Sequence, residues 1–108
     1  MKYIYSIQDT KTEELSAPFV SRNEEIARRM VGEALLKAPD IPPAQFPDDF
    51  ALVRLGEWDD VKGVAAIQFA FVCSCITILA DIEARRARVQ SQLKQANVSN
   101  PVQSTQNA

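Results

Sequence analysis

Residues 63 to 80, GVAAIQFAFVCSCITILA, form a run of 18 consecutive uncharged residues in a chain of 108. A run of that kind restricts the fold more than any other feature of the sequence. It is close to the length of a helix that crosses a bilayer, which takes about 20 mostly apolar residues. It also suits a buried strand followed by the start of a helix. Gln68, Ser74 and Thr77 count against the span. So does the approach to it: Glu57-Trp58-Asp59-Asp60-Val61-Lys62-Gly63 reads as a turn, with Gly63 free to take a positive φ. We therefore expect a returning strand that runs into a helix, and no membrane span. A membrane-associated protein that uses residues 63–80 stays as an alternative.

The segments before the run supply the strand's partners. Lys2 to Ile7 is rich in β-favouring residues, and Asp9-Thr10-Lys11-Thr12 is turn chemistry. Leu15 to Val20 can return as a second strand, irregular at Pro18. Ser21 with Glu24 three residues on has the form of a capping box. The helix it opens carries Ile26, Met30 and Ala34, with Val31 and Leu35 offset by one, and runs to about Lys37. Pro39, Pro42, Pro43 and Pro47 exclude regular structure up to about residue 48. Phe50 to Leu55 is the third strand, hairpin-paired to the one that starts at Val64. Leu79 to Ala96 reads as a helix with an apolar stripe of Leu79, Ile82, Val89 and Leu93, interrupted by Arg86. The expected fold is α+β: a small antiparallel sheet, ββαββ, with one packed helix and a C-terminal amphipathic helix. Residues 1–75 would form the core domain, 76–96 the basic helix, and 97–108 a polar, disordered tail.

Charge is divided unevenly. Residues 84–108 hold Arg85, Arg86, Arg88 and Lys94 and no acid, while residues 1–83 hold the other 8 basic residues and all 14 acids. The end of the chain is thus +4 on a body of −6, an asymmetry that points to an anionic partner. On a helix Arg85 and Arg88 share a face, and Arg86 lies about 100° round from Arg85. Three or four phosphate contacts would give weak, salt-sensitive binding without base preference. The plainer alternative is a solvated face in which Arg85 pairs with Asp81 and Arg86 with Glu83. Arg28 and Arg29 read as surface partners of Glu24 and Glu25.

Other candidates are weaker. There is no histidine, which removes the commonest general base and zinc ligand. Cys73 and Cys75 lack the further ligands a zinc site needs and read as buried apolar residues in a reduced setting. Asp48-Asp49 and Asp59-Asp60 read as turn residues. Trp58 reads as a core lid beside Phe46 and Phe50, with a base-stacking platform as its alternative. No glycine-rich phosphate loop is present among three scattered glycines. We expect no enzyme, no metal and no cofactor.

Two stretches resemble a known family. The opening, residues 2–35, is similar to the start of the small nonstructural protein of gokushovirus-type microviruses, phages with single-stranded circular DNA. The more specific stretch is Phe46-Pro47-Asp48-Asp49-Phe50-Ala51-Leu52-Val53-Arg54-Leu55-Gly56-Glu57-Trp58-Asp59-Asp60, similar to the run "FP-x-D-[FY]-x-L-x-x-[LI]-G-x-[FW]-D" of that family. The likeness covers residues 1–75. It implies a phage nonstructural protein in the host cytoplasm, with a role in single-stranded genome synthesis and packaging. The implied partners are single-stranded or replicative-form DNA and phage replication or procapsid proteins. The long helix after Ile78 departs from the family, so its basic residues inherit no role. The apolar stripe of Leu79, Ile82, Val89 and Leu93 calls for a partner, and a homodimer is the simplest. A protein–protein adaptor of phage assembly is the alternative to direct DNA contact.

Overall fold

The computed structural model describes the backbone of residues 1–99 and the side-chain surroundings of residues 1–96. Strand β1 is Lys2–Asp9, β2 is Phe19–Ser21, helix α1 is Glu24–Lys37, α2 is Pro42–Gln45, β3 is Phe50–Asp59, β4 is Gly63–Ser74 and α3 is Cys75–Ser99. A 3-10 turn at Pro47–Asp49 leads into β3. The four strands form one antiparallel sheet in the order β2-β1-β3-β4. The fold is α+β as expected, with a C-terminal helix.

Local chemistry explains the turns. Asp9 Oδ1 accepts from the Lys11 and Thr12 amides at 2.9 and 3.3 Å, which turns the chain out of β1. Asp59 Oδ1 does the same for Val61 and Lys62 at 2.8 and 3.0 Å, and Gly63 takes φ +89° to close the β3–β4 hairpin. Those two amides also hold the Asp59 carboxyl below the usual carboxylate range.

Four expectations are corrected. The second strand is Phe19–Ser21 and not Leu15 to Val20; Leu15 makes only an isolated bridge to Gln8. Ser21 is buried and still paired to Tyr3, so it is not the helix cap. Asn23 caps α1 instead, its Oδ1 accepting from the Ile26 amide at 2.9 Å. The proline segment is not free of regular structure: Pro42 and Pro43 start the single turn of α2, where a missing amide costs nothing. At the other end of the chain, residues 97–99 continue α3, and the rest of the expected tail lies outside the described residues.

The core lies between one face of the sheet and the helices. Tyr5, Leu52 and Cys73 from the strands meet Ala27, Val31 and Leu35 from α1 and Cys75 and Ile78 from α3. The face that α1 buries is therefore Ala27-Val31-Leu35, while Met30 is 42% exposed. Ser6 is fully buried and satisfied, its Oγ lying 2.8 Å from the Ser16 carbonyl oxygen. Trp58 stands at the far end of β3 from Phe50, half-buried, and donates to Asp60 Oδ1 at 3.2 Å. Phe46 is more than half exposed, so the three aromatics form no common lid.

The uncharged run divides as expected into a strand and the first turn and a half of a helix. Among the described residues, no helix is long and apolar enough to cross a membrane. The expectation that the strand is buried fails. Ile67, Phe69 and Phe71 are 87%, 55% and 64% exposed, because β4 is the edge of the sheet and the helices cover only its last residues.

Candidate nucleic-acid interface

Helix α3 starts without a linker at the end of β4. Its first two turns belong to the body. Cys75 and Ile78 are buried, and Leu79 and Ile82 are half-buried against the core. Ile78 and Ile82 reach α1 at Gly32, where a Cβ would strike the Ile82 Cδ1 atom. Beyond Ile82 every described side chain is exposed. A helix rises about 1.5 Å per residue, so the exposed part extends well clear of the sheet.

Arg85, Arg86, Arg88 and Lys94 all lie on this projecting part. Among the described residues none of the four forms an ion pair. The alternative in which Asp81 holds Arg85 is not what forms. Asp81 faces α1 instead, 3.7 Å from Arg28 Nη1, and Arg28 Nη2 also pairs with Glu24 at 2.9 Å. Arg29 stands 3.8 Å from Glu25, so both α1 arginines pair with the acids expected from the sequence. The α3 cations are thus left to solvent or to a partner, whereas those of α1 are engaged.

The four groups do not share one face. Taking about 100° per residue, Arg85 and Arg88 lie on one flank of the Ile82–Val89–Leu93 line, Lys94 on the other, and Arg86 within it. A strand passing along the helix can touch two or three at once. The stripe proposed as a partner surface is divided: Leu79 and Ile82 serve the chain's own core, and Val89 and Leu93 remain about half exposed.

At the base of α3 lies a cleft of about 600 Å³ against α1, lined by Glu24, Arg28, Glu33, Asp81, Ile82 and Arg85 among others. Its acids and bases are mixed, and the Arg28 Nε is buried there without a partner. The two cysteines are free and buried; burial pushes the Cys73 thiol up and raises Cys75 to about 11. Among the described residues no group of three potential ligands can hold a metal ion. Asp48-Asp49 and Asp59-Asp60 act within turns, with Asp49 also 3.4 Å from Lys11. What the sequence did not reveal is the exposed apolar surface of β4; its only signal was the lack of charge that had suggested burial.

Residues 2–78 match the family described as Phage ORF5 protein. The matched segment ends at Ile78 in the first turn of α3, so the sheet and α1 lie within it and Arg85 to Lys94 lie beyond it. No curated protein and no solved structure matches the chain.

Proposed function

The chain belongs to the Phage ORF5 protein family, and from that premise we propose that it is a phage accessory protein which binds DNA weakly and without base preference, through α3. The observation that carries this reading is the cluster of Arg85, Arg86, Arg88 and Lys94 on a projecting helix, none of them in an ion pair among the described residues. Guanidinium and ammonium groups in that state match phosphates. The body, at −6, turns away from a polyanion and leaves the helix as the point of approach.

The likeness of residues 1–75 to microvirus nonstructural proteins favours a narrower role. In that role it would work in the host cytoplasm during synthesis and packaging of a single-stranded genome, on single-stranded or replicative-form DNA, or on the replication or procapsid proteins that handle it. The reading is of a binding protein and assigns no catalytic step.

The test is a titration of the full chain against labelled single-stranded DNA at two salt concentrations, beside an Arg85/Arg86/Arg88→Ala variant. Binding that weakens with salt and is lost in the variant supports the reading. No binding by the wild type at low salt overturns it.

A second reading makes α3 a docking element for another phage protein or for a second copy, favoured by the exposure of Val89 and Leu93 one turn apart. In that case charge reversal at the arginines leaves activity intact, and Val89→Ser with Leu93→Ser abolishes it.

A further inference from the structure

The largest run of exposed apolar side chains is on the sheet, not on α3. Along β4, Val64, Ile67, Phe69 and Phe71 are 55%, 87%, 55% and 64% exposed, and Ile76 follows at 47% in the first turn of α3. Single exposed hydrophobic residues are ordinary; a contiguous set on one strand marks a contact surface. We propose that β4 is the surface through which two copies of this chain associate.

Charge decides the occupant. Residues 63–80 contain no ionisable acid or base other than two buried thiols. A polyanion finds no cation there, and a charged partner finds no counter-charge. A second copy brings the same uncharged stripe, so no register of the pair sets like charges against each other. A two-fold contact of this kind uses the same patch of both copies and so closes at two.

The sheet's geometry says how the copies meet. The opposite edge is β2, three residues that follow Pro18, and offers little to pair with. β4 is long, yet its register against β3 shifts three times, with the additional residue on β4 each time. Bulges of this kind twist an edge away from continuous ladder pairing. The contact is therefore made by side chains, with Ile67, Phe69 and Phe71 packing on their counterparts. Taking roughly 100 Å² for each of the four half-exposed or more exposed residues gives about 400 Å² per protomer. With Ala65, Gln68 and Ile76 around them, the total approaches the lower end of specific interfaces, about 1,200 Å² over both partners. Helix α3 offers less: among the described side chains, two large apolar residues beyond Ile82, with Arg86 in line with them. This assignment does not depend on the DNA-binding reading.

The test is sedimentation equilibrium of the full chain from low to several hundred micromolar. It is run beside an Ile67→Lys/Phe71→Lys variant and a Val89→Ser/Leu93→Ser variant, each checked by circular dichroism. The expected result is a concentration-dependent wild-type dimer, a folded but monomeric β4 variant and an α3 variant that dimerises like the wild type. Gln68→Cys, exposed in the middle of β4, should cross-link into a covalent dimer on oxidation, whereas Arg88→Cys should not. A wild type that stays monomeric overturns the proposal. So does a dimer that survives the β4 substitutions with its fold intact, or a Gln68→Cys chain that does not cross-link. If the monomeric wild type floats with neutral phosphatidylcholine vesicles and the β4 variant does not, the surface belongs to lipid and the proposal also falls.

Discussion

Single atoms decide several features of this molecule. Gly56 sits where β4 shifts register, and a Cβ there would strike the Ala66 carbonyl oxygen, with the Ile67 Cα at 3.1 Å. Both obstacles are backbone, which cannot rotate away. Gly56→Ala should cost at least about 1–3 kcal/mol, as overpacking does, and a lowered denaturant midpoint would show it. Cys75 has a different signature. Its thiol is buried, and desolvation raises it from 9.0 in the unfolded chain to about 11 in the folded one. Below pH 9 both states keep the proton and the packing of the thiol contributes fully. From there up to about pH 11 the unfolded thiol ionises while the folded one does not, so stability falls as pH rises, by up to about 1.4 kcal/mol per pH unit. Urea melts across that range should show a shallower fall for Cys75→Ala than for the wild type. Equal slopes would mean that the thiol is not desolvated.

At the scale of elements, helix α1 shows what a sequence can and cannot reveal. Its extent was legible, because acids at Glu24 and Glu25 and Lys37 at the far end fit the helix dipole. Its cap was not. Ser21 and Asn23 are both capping residues, and only the pairing of Ser21 with Tyr3 in the sheet gives the role to Asn23. Asn23→Ala should therefore cost about 1 kcal/mol through the helix start, measured by thermal melting, and restoring Ser or Asp at 23 should recover most of it. The exposed strand was misread for a related reason: lack of charge shows that a segment avoids water, not which copy of the chain shields it. For α3 the apolar stripe was legible as a pattern, yet its two halves do different work. Ile78→Ala should cost about 2–5 kcal/mol, the range for a buried aliphatic side chain. Val89→Ala should move the melt hardly at all, because Val89 is about half exposed. A large loss at Val89 would mean that α3 is covered along its length, and would favour the helix over β4 as the dimer contact.

For the whole molecule the governing feature is the separation of charge, +4 at the end of the chain and −6 on the rest. A uniform surface with the same net charge of −2 would repel DNA weakly from every side. On the proposed reading, this one would repel it from the body and admit it along one exposed helix. The geometry then limits the contact. Arg85 and Arg88 lie on one flank of α3 and Lys94 on the other, so a single strand bound there would engage at most about three of the four groups. Counterion release gives a slope of log K against log salt of about −0.7 per contact for single strands and about −0.9 for duplex. The expected slopes are therefore about −2 for single-stranded DNA and slightly steeper for duplex. The described part of the projecting helix carries no aromatic residue on which a base can stack, so oligo-dT and oligo-dA should bind with nearly equal affinity. Arg88→Ala should reduce the single-strand slope by about one contact and leave that near-equality unchanged. Fluorescence anisotropy over a salt series measures both. A marked preference for one homopolymer would place an aromatic in the site, with Trp58 the candidate, and would move the DNA surface from α3 to the end of the sheet.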